Sequence, residues 1–324
     1  MCKILVIPSI KKSNVENAWK LCKEIAPLMS RIDDDGFGFA AMDSSGNLLG
    51  ERWLNSKLAM TDNCGLTLSD VKVLKTMGPK LVKESFEYNK FGDLKNKKDI
   101  VSIMLHARKA TTPKGLINTH PFVKNDTAII HNGMISNHER LTKEFSTCDS
   151  EAILHEYLEY NAAHNPKQVQ EMVNNLDGYY AVGVMSKNEN NIPIVDVFKS
   201  QAANLICTYV DEIESVVFCT AQHLIVDALE TLKWNKNKIF EFADTGFIRF
   251  NALTGERIHS EILTKVVSHN TFLDRQKKNN RQKDMDDIIQ EYGDQVEIDY
   301  VALIEADERQ RVEDQMARAY GVTI

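Results

Sequence analysis

Ile129-Ile130-His131-Asn132-Gly133-Met134-Ile135-Ser136-Asn137 is the segment of this 324-residue chain on which its fold turns. Ala128 to His131 predicts a short buried strand, and the strand delivers a polar pair, Asn132-Gly133, at its end. A side-chain amide beside a backbone N–H is a donor pair suited to a developing oxyanion. Glycine at the second place lets the backbone approach closely or take a positive φ. Asn-Gly is also common in hairpin turns, so the pair acquires meaning only from its surroundings.

Upstream, Ile100 to His106 predicts another buried strand that ends in polar residues: His106-Ala107-Arg108-Lys109-Ala110-Thr111-Thr112, with Asn118-Thr119-His120-Pro121-Phe122 shortly after. Downstream stands Cys148-Asp149-Ser150-Glu151, and Cys2 lies directly behind Met1. Asp35-Gly36-Phe37-Gly38 and Leu176-Asp177-Gly178-Tyr179-Tyr180-Ala181 flank the set. In this order the stretches resemble the class II, N-terminal-nucleophile glutamine amidotransferases, whose glutaminase domain carries Arg-x-Ala-Thr, Asn-x-His-Pro, His-Asn-Gly-x-Ile-x-Asn and Asp-x-Glu. The resemblance covers roughly residues 2–260 and implies a four-layer α/β/β/α sandwich of the Ntn-hydrolase type.

Releasing ammonia from a carboxamide requires a strong nucleophile, a proton shuttle and oxyanion donors. With Met1 removed, Cys2 carries a thiol and a free α-amine on one residue. An α-amine pKa of roughly 8 in model peptides suits taking the thiol proton and returning it to leaving ammonia. The reaction then runs through a γ-glutamyl thioester on Cys2. The resemblance assigns the oxyanion hole to Asn132 and Gly133. A guanidinium grips an α-carboxylate in bidentate fashion, and a carboxylate pairs with an α-ammonium; Arg108 and Asp149 fit these roles by type and by match. Thr111 and Thr112 add hydroxyl donors, and His131, inside the matched motif, is grouped with the substrate-binding residues. The chain departs from the family pattern at Lys109 and Thr112, where an aromatic residue and a His are common, and at Lys3, where Gly is common.

Composition narrows the remaining possibilities. Hydrophobic residues make up 43% and charged residues 26%, proportions of a globular chain. A net charge of −7 makes nucleic acid a poor partner. Apolar runs fall short of the roughly 20 residues of a membrane span, and the start is too short for a signal segment, so a cytoplasmic protein is expected. The six cysteines form no CxxC, and Cys22, Cys148, Cys207 and Cys219 read as reduced core fillers. His106, His120 and His131 lack metal-ligand spacing, and Gly36 and Gly38 lack a third glycine for a dinucleotide loop. Neither metal nor cofactor is expected.

Along the chain, Ile4 to Ile7 predicts a strand, and Trp19, Cys22, Ile25, Ala26 and Met29 predict a helix over 14–30. A hairpin joins 37–42 to 48–53. Helices are expected near 69–77, at 138–145, 149–161, 166–176 and 222–232, and strands at 179–186, 194–199, 205–208, 216–219 and 247–251. Strands, helices and strands without strict alternation indicate an α+β class.

Two domains follow: an amidotransferase unit at 2–265 and a charged helical C-terminal extension at 266–324. From Asn270 to Ile324 there are 13 acidic and 8 basic residues, with five of the basic ones between Arg275 and Lys283. Helices are expected there near 284–292 and 301–319, either as a solvated appendage or as a dock for a partner. The extension is too short for a synthase and the chain has no Gly-Lys-Ser/Thr phosphate loop. L-glutamine is therefore the expected substrate, with a separate ammonia-accepting synthase subunit. The alternatives are a stand-alone hydrolase of a γ-glutamyl amide or peptide, and a non-catalytic scaffold of the same fold. The oligomeric state is left open.

Overall fold

The computed structural model describes residues 2–32, 35–54, 87–88, 99–109, 116–144, 146–243 and 245–263. β1 (Lys3–Ile7) lies in the middle of a sheet, with Ile4 to Ile7 fully buried. On one side it pairs antiparallel with β5 (Ile100–Arg108), Lys3 opposite Ala107 and Ile7 opposite Ile103. On the other it pairs with β11 (Ser215–Cys219), Leu5 opposite Cys219. β2 (Gly36–Asp43) and β3 (Leu48–Leu54) continue beyond β5, followed by the short β4 (Glu87–Tyr88). β10 (Ile206–Val210) and β12 (Phe240–Glu241) close the other edge of this eight-stranded sheet.

A second sheet has six strands in the order β14-β13-β9-β8-β7-β6. These are β6 (Phe122–Lys124), β7 (Thr127–Ile135), β8 (Gly178–Lys187), β9 (Pro193–Lys199), β13 (Gly246–Asn251) and β14 (Arg257–Ile262). α1 (Val15–Ile32) and α4 (Gln222–Leu232) cover the first sheet, and α2 (Asp149–Glu159) and α3 (Gln168–Asn174) cover the second.

Side-chain alternation sorts the core into layers. Leu5, Ile7, Phe37, Phe39, Ile103 and Leu105 pack against Ile25, Met29 and Leu224 of the first helical layer. Ile4, Val6, Ala40, Met42 and Met104 pack between the sheets against Ala128, Ile130, Ala181 and Val195. Ile129, Val182, Val184 and Phe198 pack against Ile153, Leu154, Tyr157 and Met172 of the second. Each fully buried Val, Leu, Ile, Phe or Met among them contributes about 1.5–3 kcal/mol. This is the α/β/β/α sandwich of the α+β class expected from the sequence.

The phase of this alternation positions the chemistry. Cys2 continues the Ile4–Val6 phase and Arg108 continues that of Met104 and His106, so both belong to the face turned toward the second sheet. Asn132 continues the phase of Ala128 and Ile130, which face back toward the first.

Some elements differ from expectation. The strand expected to stop at His131 runs to Ile135, because β8 pairs with it throughout, Asn132 opposite Ala181 and Gly133 opposite Tyr180. The helix expected at 138–145 is only a 3-10 turn at His138–Arg140. Beyond it the Glu151 carboxylate accepts the Glu144 and Ser146 N–H groups, both at 2.8 Å, in place of helical carbonyls. β6 and β14 are additional short strands. The helices expected near 69–77, 284–292 and 301–319, and the extension at 266–324, lie outside the described residues. Among the described residues no helix is long and apolar enough to cross a membrane.

Candidate active site

Cys2 sits just before β1, half-buried, where that strand meets the end of β5. The Lys109 N–H donates to Cys2 Sγ at 3.4 Å, and the thiol faces the Lys109 carbonyl at 3.6 Å. Thr220, just past β11, holds the strand from the other side. Its Oγ1 accepts the Ile4 N–H at 3.1 Å and its own N–H donates to the Ile4 carbonyl at 3.2 Å. Cys2 is thus carried at the start of a strand anchored along both edges. Arg108, next to Lys109, is buried at 3% exposure despite its charge, which confines its guanidinium to the same end of the sheet.

Across the inter-sheet space, β7 brings Asn132, 7% exposed, and Gly133, whose φ is +154°. A Cβ at position 133 would lie 2.0 Å from the Tyr179 carbonyl oxygen and 2.7 Å from His131 Nε2. Only glycine fits there. The strand remains paired with β8 through this residue, Gly133 opposite Tyr180.

The N-terminus of α2 supplies the third side. Cys148 takes the extended N-cap conformation, and Asp149 and Glu151 occupy the first turn, where carboxylates suit the helix dipole. Asp149 Oδ2 accepts the Ile135 N–H at 2.7 Å and the Cys148 thiol lies 3.5 Å from Oδ1, so this carboxylate is tied to the strand that bears Asn132. Ser150 Oγ lies 2.8 Å from His131 Nδ1. Asn118 and Thr147 exchange hydrogen bonds of 2.8 and 3.0 Å and fix the loop before the helix.

Behind these groups lies a cluster of histidines. His106 and His120 stack at 3.8 Å between ring centroids, and His120 meets Phe122 and His131 edge-on at 4.9 and 6.5 Å. Burial foremost, then the His131 and Arg108 charges, hold the His106 pKa down at about 3 despite its bond to the His131 carbonyl. His120 is pushed well below the usual imidazole range by burial and by the same neighbours. His131 is lowered by burial, against the Asp149 carboxylate and the Tyr179 carbonyl, which favour its proton. Burial, with the Asp149 charge, pushes the Cys148 thiol up to about 12, so it is an inert neighbour and not a second nucleophile.

Of the residues singled out in the sequence, the fold gathers Cys2 and Arg108 at the end of one sheet. Asn132, Gly133 and His131 lie on the facing strand and Asp149 on the helix behind it. His131 is only 2% exposed and turns toward Ser150, so it backs the site from the helical side. Thr111 and Thr112 lie outside the described residues. Thr220 and Arg52 were not legible as site neighbours, because their roles depend on contacts across more than 60 residues of sequence. Among the described residues no cluster of His, Cys, Asp and Glu could hold a metal ion.

Comparisons with known proteins point the same way. Residues 108–198 match the family model of the glutamine amidotransferase domain. Over 156 residues the chain is 30% identical to a glutamine–fructose-6-phosphate aminotransferase (isomerizing) of Wigglesworthia glossinidia brevipalpis, covering 43% of this chain and 25% of that protein. The like-named protein of Vibrio vulnificus strain YJ016 is 35% identical over 95 residues, 26% of this chain and 16% of its own length. The matches thus span a quarter or less of these relatives. The glutamine phosphoribosylpyrophosphate amidotransferase of B. subtilis superposes with a TM-score of 0.53 at 16% identity, over 82% of this chain and 50% of that one. A structure described as the allosteric regulatory enzyme of purine biosynthesis gives 0.51 at 15% identity with the same coverage. The layered fold, the ordered motifs and these matches agree: residues 108–198 match a glutamine amidotransferase domain, set in a fold similar to that of the class II, N-terminal-nucleophile amidotransferases.

Proposed function

We propose that this protein hydrolyses L-glutamine to glutamate and ammonia through a γ-glutamyl thioester on Cys2. The observation that carries this reading is the half-buried Cys2 thiol beside buried Arg108, on the face turned toward Asn132. The sulfur attacks the side-chain carbonyl of glutamine while the α-amine of Cys2 takes its proton. Negative charge builds on the carbonyl oxygen and is met by Asn132 Nδ2 and the Gly133 N–H. Collapse returns the proton to ammonia, and water then releases glutamate by the same donors and base. Arg108, with Thr111 and Thr112, holds the α-carboxylate, His131 braces the pocket from behind, and Asp149 holds the α-ammonium.

We assign the glutaminase unit to residues 2–265 and take 266–324 as the dock for a separate synthase that receives the ammonia. We place it in the cytoplasm, where the free cysteines among the described residues stay reduced. The test is direct: protein from which Met1 has been removed, verified by mass, is given glutamine and assayed for glutamate and ammonia in equal amounts. Faster turnover of another γ-glutamyl amide in substrate profiling would replace glutamine with that compound. Failure to turn over either would leave the scaffold reading. Co-purification identifies the synthase.

Asp149→Asn removes the charge that faces the α-ammonium while keeping an acceptor for the Ile135 N–H. It is expected to raise KM for glutamine about tenfold to hundredfold, the value of a hydrogen bond to a charged group, with kcat changed much less. Steady-state kinetics decide; an unchanged KM removes Asp149 from the substrate pocket.

A further inference from the structure

The nucleophile and the oxyanion donors belong to different sheets. The apolar side chains between the sheets set their spacing, but such contacts are non-directional and tolerate small slips. A directional tie exists at the active-site end: His106 Nε2 lies 3.0 Å from the His131 carbonyl oxygen. His106 stands opposite Ile4 on β1, two residues from Cys2, and two residues before Arg108 on the same face of β5. The carbonyl it touches belongs to the peptide that ends at the Asn132 nitrogen, one peptide before the Gly133 N–H.

We propose that His106 is a positioning residue, which by donating its Nε2–H to the His131 carbonyl holds the oxyanion-hole strand at reacting distance from the nucleophile strand. The proposal rests on the glutaminase reading for its kinetic meaning and on geometry alone for the tie itself. A carbonyl only accepts, so Nε2 carries the proton. Among the described residues Nδ1 is buried without a hydrogen-bond partner, so the ring is neutral, in accord with a pKa that burial above all holds down.

The ring is itself braced. His120 stacks on it, and the loop that carries His120 is fixed by Arg52, whose Nη1 donates to the Thr119 and Pro121 carbonyls at 2.8 and 3.3 Å. Gly38, opposite His106 on β2, makes room for that loop: a Cβ there would lie 2.1 Å from the His120 carbonyl oxygen. A flat ring able both to stack and to donate from its far nitrogen is what this place demands.

Two substitutions separate the donor from the packing. His106→Phe keeps the stacked ring and deletes the donor; His106→Gln sacrifices the ring but places an amide N–H near the Nε2 position. In His106→Phe, kcat for glutamine is expected to fall about tenfold to hundredfold with KM within about threefold, the signature of lost transition-state alignment. His106→Gln is expected to recover most of that loss.

Equal loss in both variants, no loss in either, or a KM rise that accounts for the whole effect would overturn the proposal. Nuclear magnetic resonance reads the tie independently of activity. Wild-type His106 should show the Nε2–H tautomer, and the Gly133 amide resonance should move in His106→Phe and return in His106→Gln. An Nδ1–H tautomer, or an unmoved Gly133, would refute it even if His106→Phe misfolds or glutamine proves not to be the substrate. Wild-type inactivity with the tie intact would count against the glutaminase reading alone.

Discussion

Cys2→Ala is expected to abolish glutamine hydrolysis, lowering kcat/KM at least about a thousandfold, as loss of a covalent nucleophile does in hydrolases that keep their binding site. The fold should survive. Cys2 lies outside β1 and is half-buried, and its sulfur makes two long contacts to the Lys109 backbone at 3.4 and 3.6 Å, whose loss should change stability by less than about 1 kcal/mol. Cys2→Ser keeps the size and the hydrogen bonds but replaces the thiol by a weaker nucleophile, and should be nearly as impaired.

A sharper version tests the α-amine. Protein that retains Met1 carries an intact thiol and a blocked base, and is expected to lose activity to a similar extent. Mass spectrometry sorts the processed from the unprocessed form, and a glutamate assay on each decides. Full activity with Met1 in place would show that some other group takes the proton.

Gly133→Ala is expected to have the second-largest effect, on stability and turnover together. The added Cβ meets the Tyr179 carbonyl at 2.0 Å and the Tyr180 Cα at 2.8 Å. Both belong to the β8 backbone, so no side-chain rotation relieves the clash. Position 133 also has φ of +154°, which alanine rarely adopts. Strain of this kind costs about 1–3 kcal/mol, and separation of β7 from β8 adds to it. Denaturant unfolding should therefore show a loss of about 3 kcal/mol. The displaced N–H would leave the oxyanion hole, so kcat should drop at least about a hundredfold. A companion, Asn132→Ala, should cost about a hundredfold in kcat with little loss of stability. If Gly133→Ala unfolds the protein, this companion still tests the oxyanion assignment.

Much of this site was legible before the structure, and the reason is physical. Strand ends, a helix N-terminus and a glycine that must approach another backbone each leave a local mark, so the segments around Arg108, Asn132-Gly133 and Asp149 could be read in place. The apolar runs gave the central strands, and α4 was expected at the residues where it occurs. Long-range hydrogen bonding left no such mark. Thr220 supports Ile4 from 216 residues away. Arg52 reaches the loop that carries His120, and Glu151 replaces a helix with a loop by capturing two backbone N–H groups. The spacing of His106, His120 and His131 carries no metal-ligand pattern. Nothing in it announced a ring stack or a tie between sheets. The end of β7 was misjudged because Gly133 punctuates a strand when read alone, whereas its pairing to β8 carries the strand through.

The placement of β1 between β5 and β11 also has a consequence during synthesis. One flank is complete only when Thr220 has emerged, so on the ribosome the first strand waits with an unmatched edge while most of the protein is being translated. The proposed removal of Met1 fits that interval, before pairing with β11 completes the sheet around the start of β1.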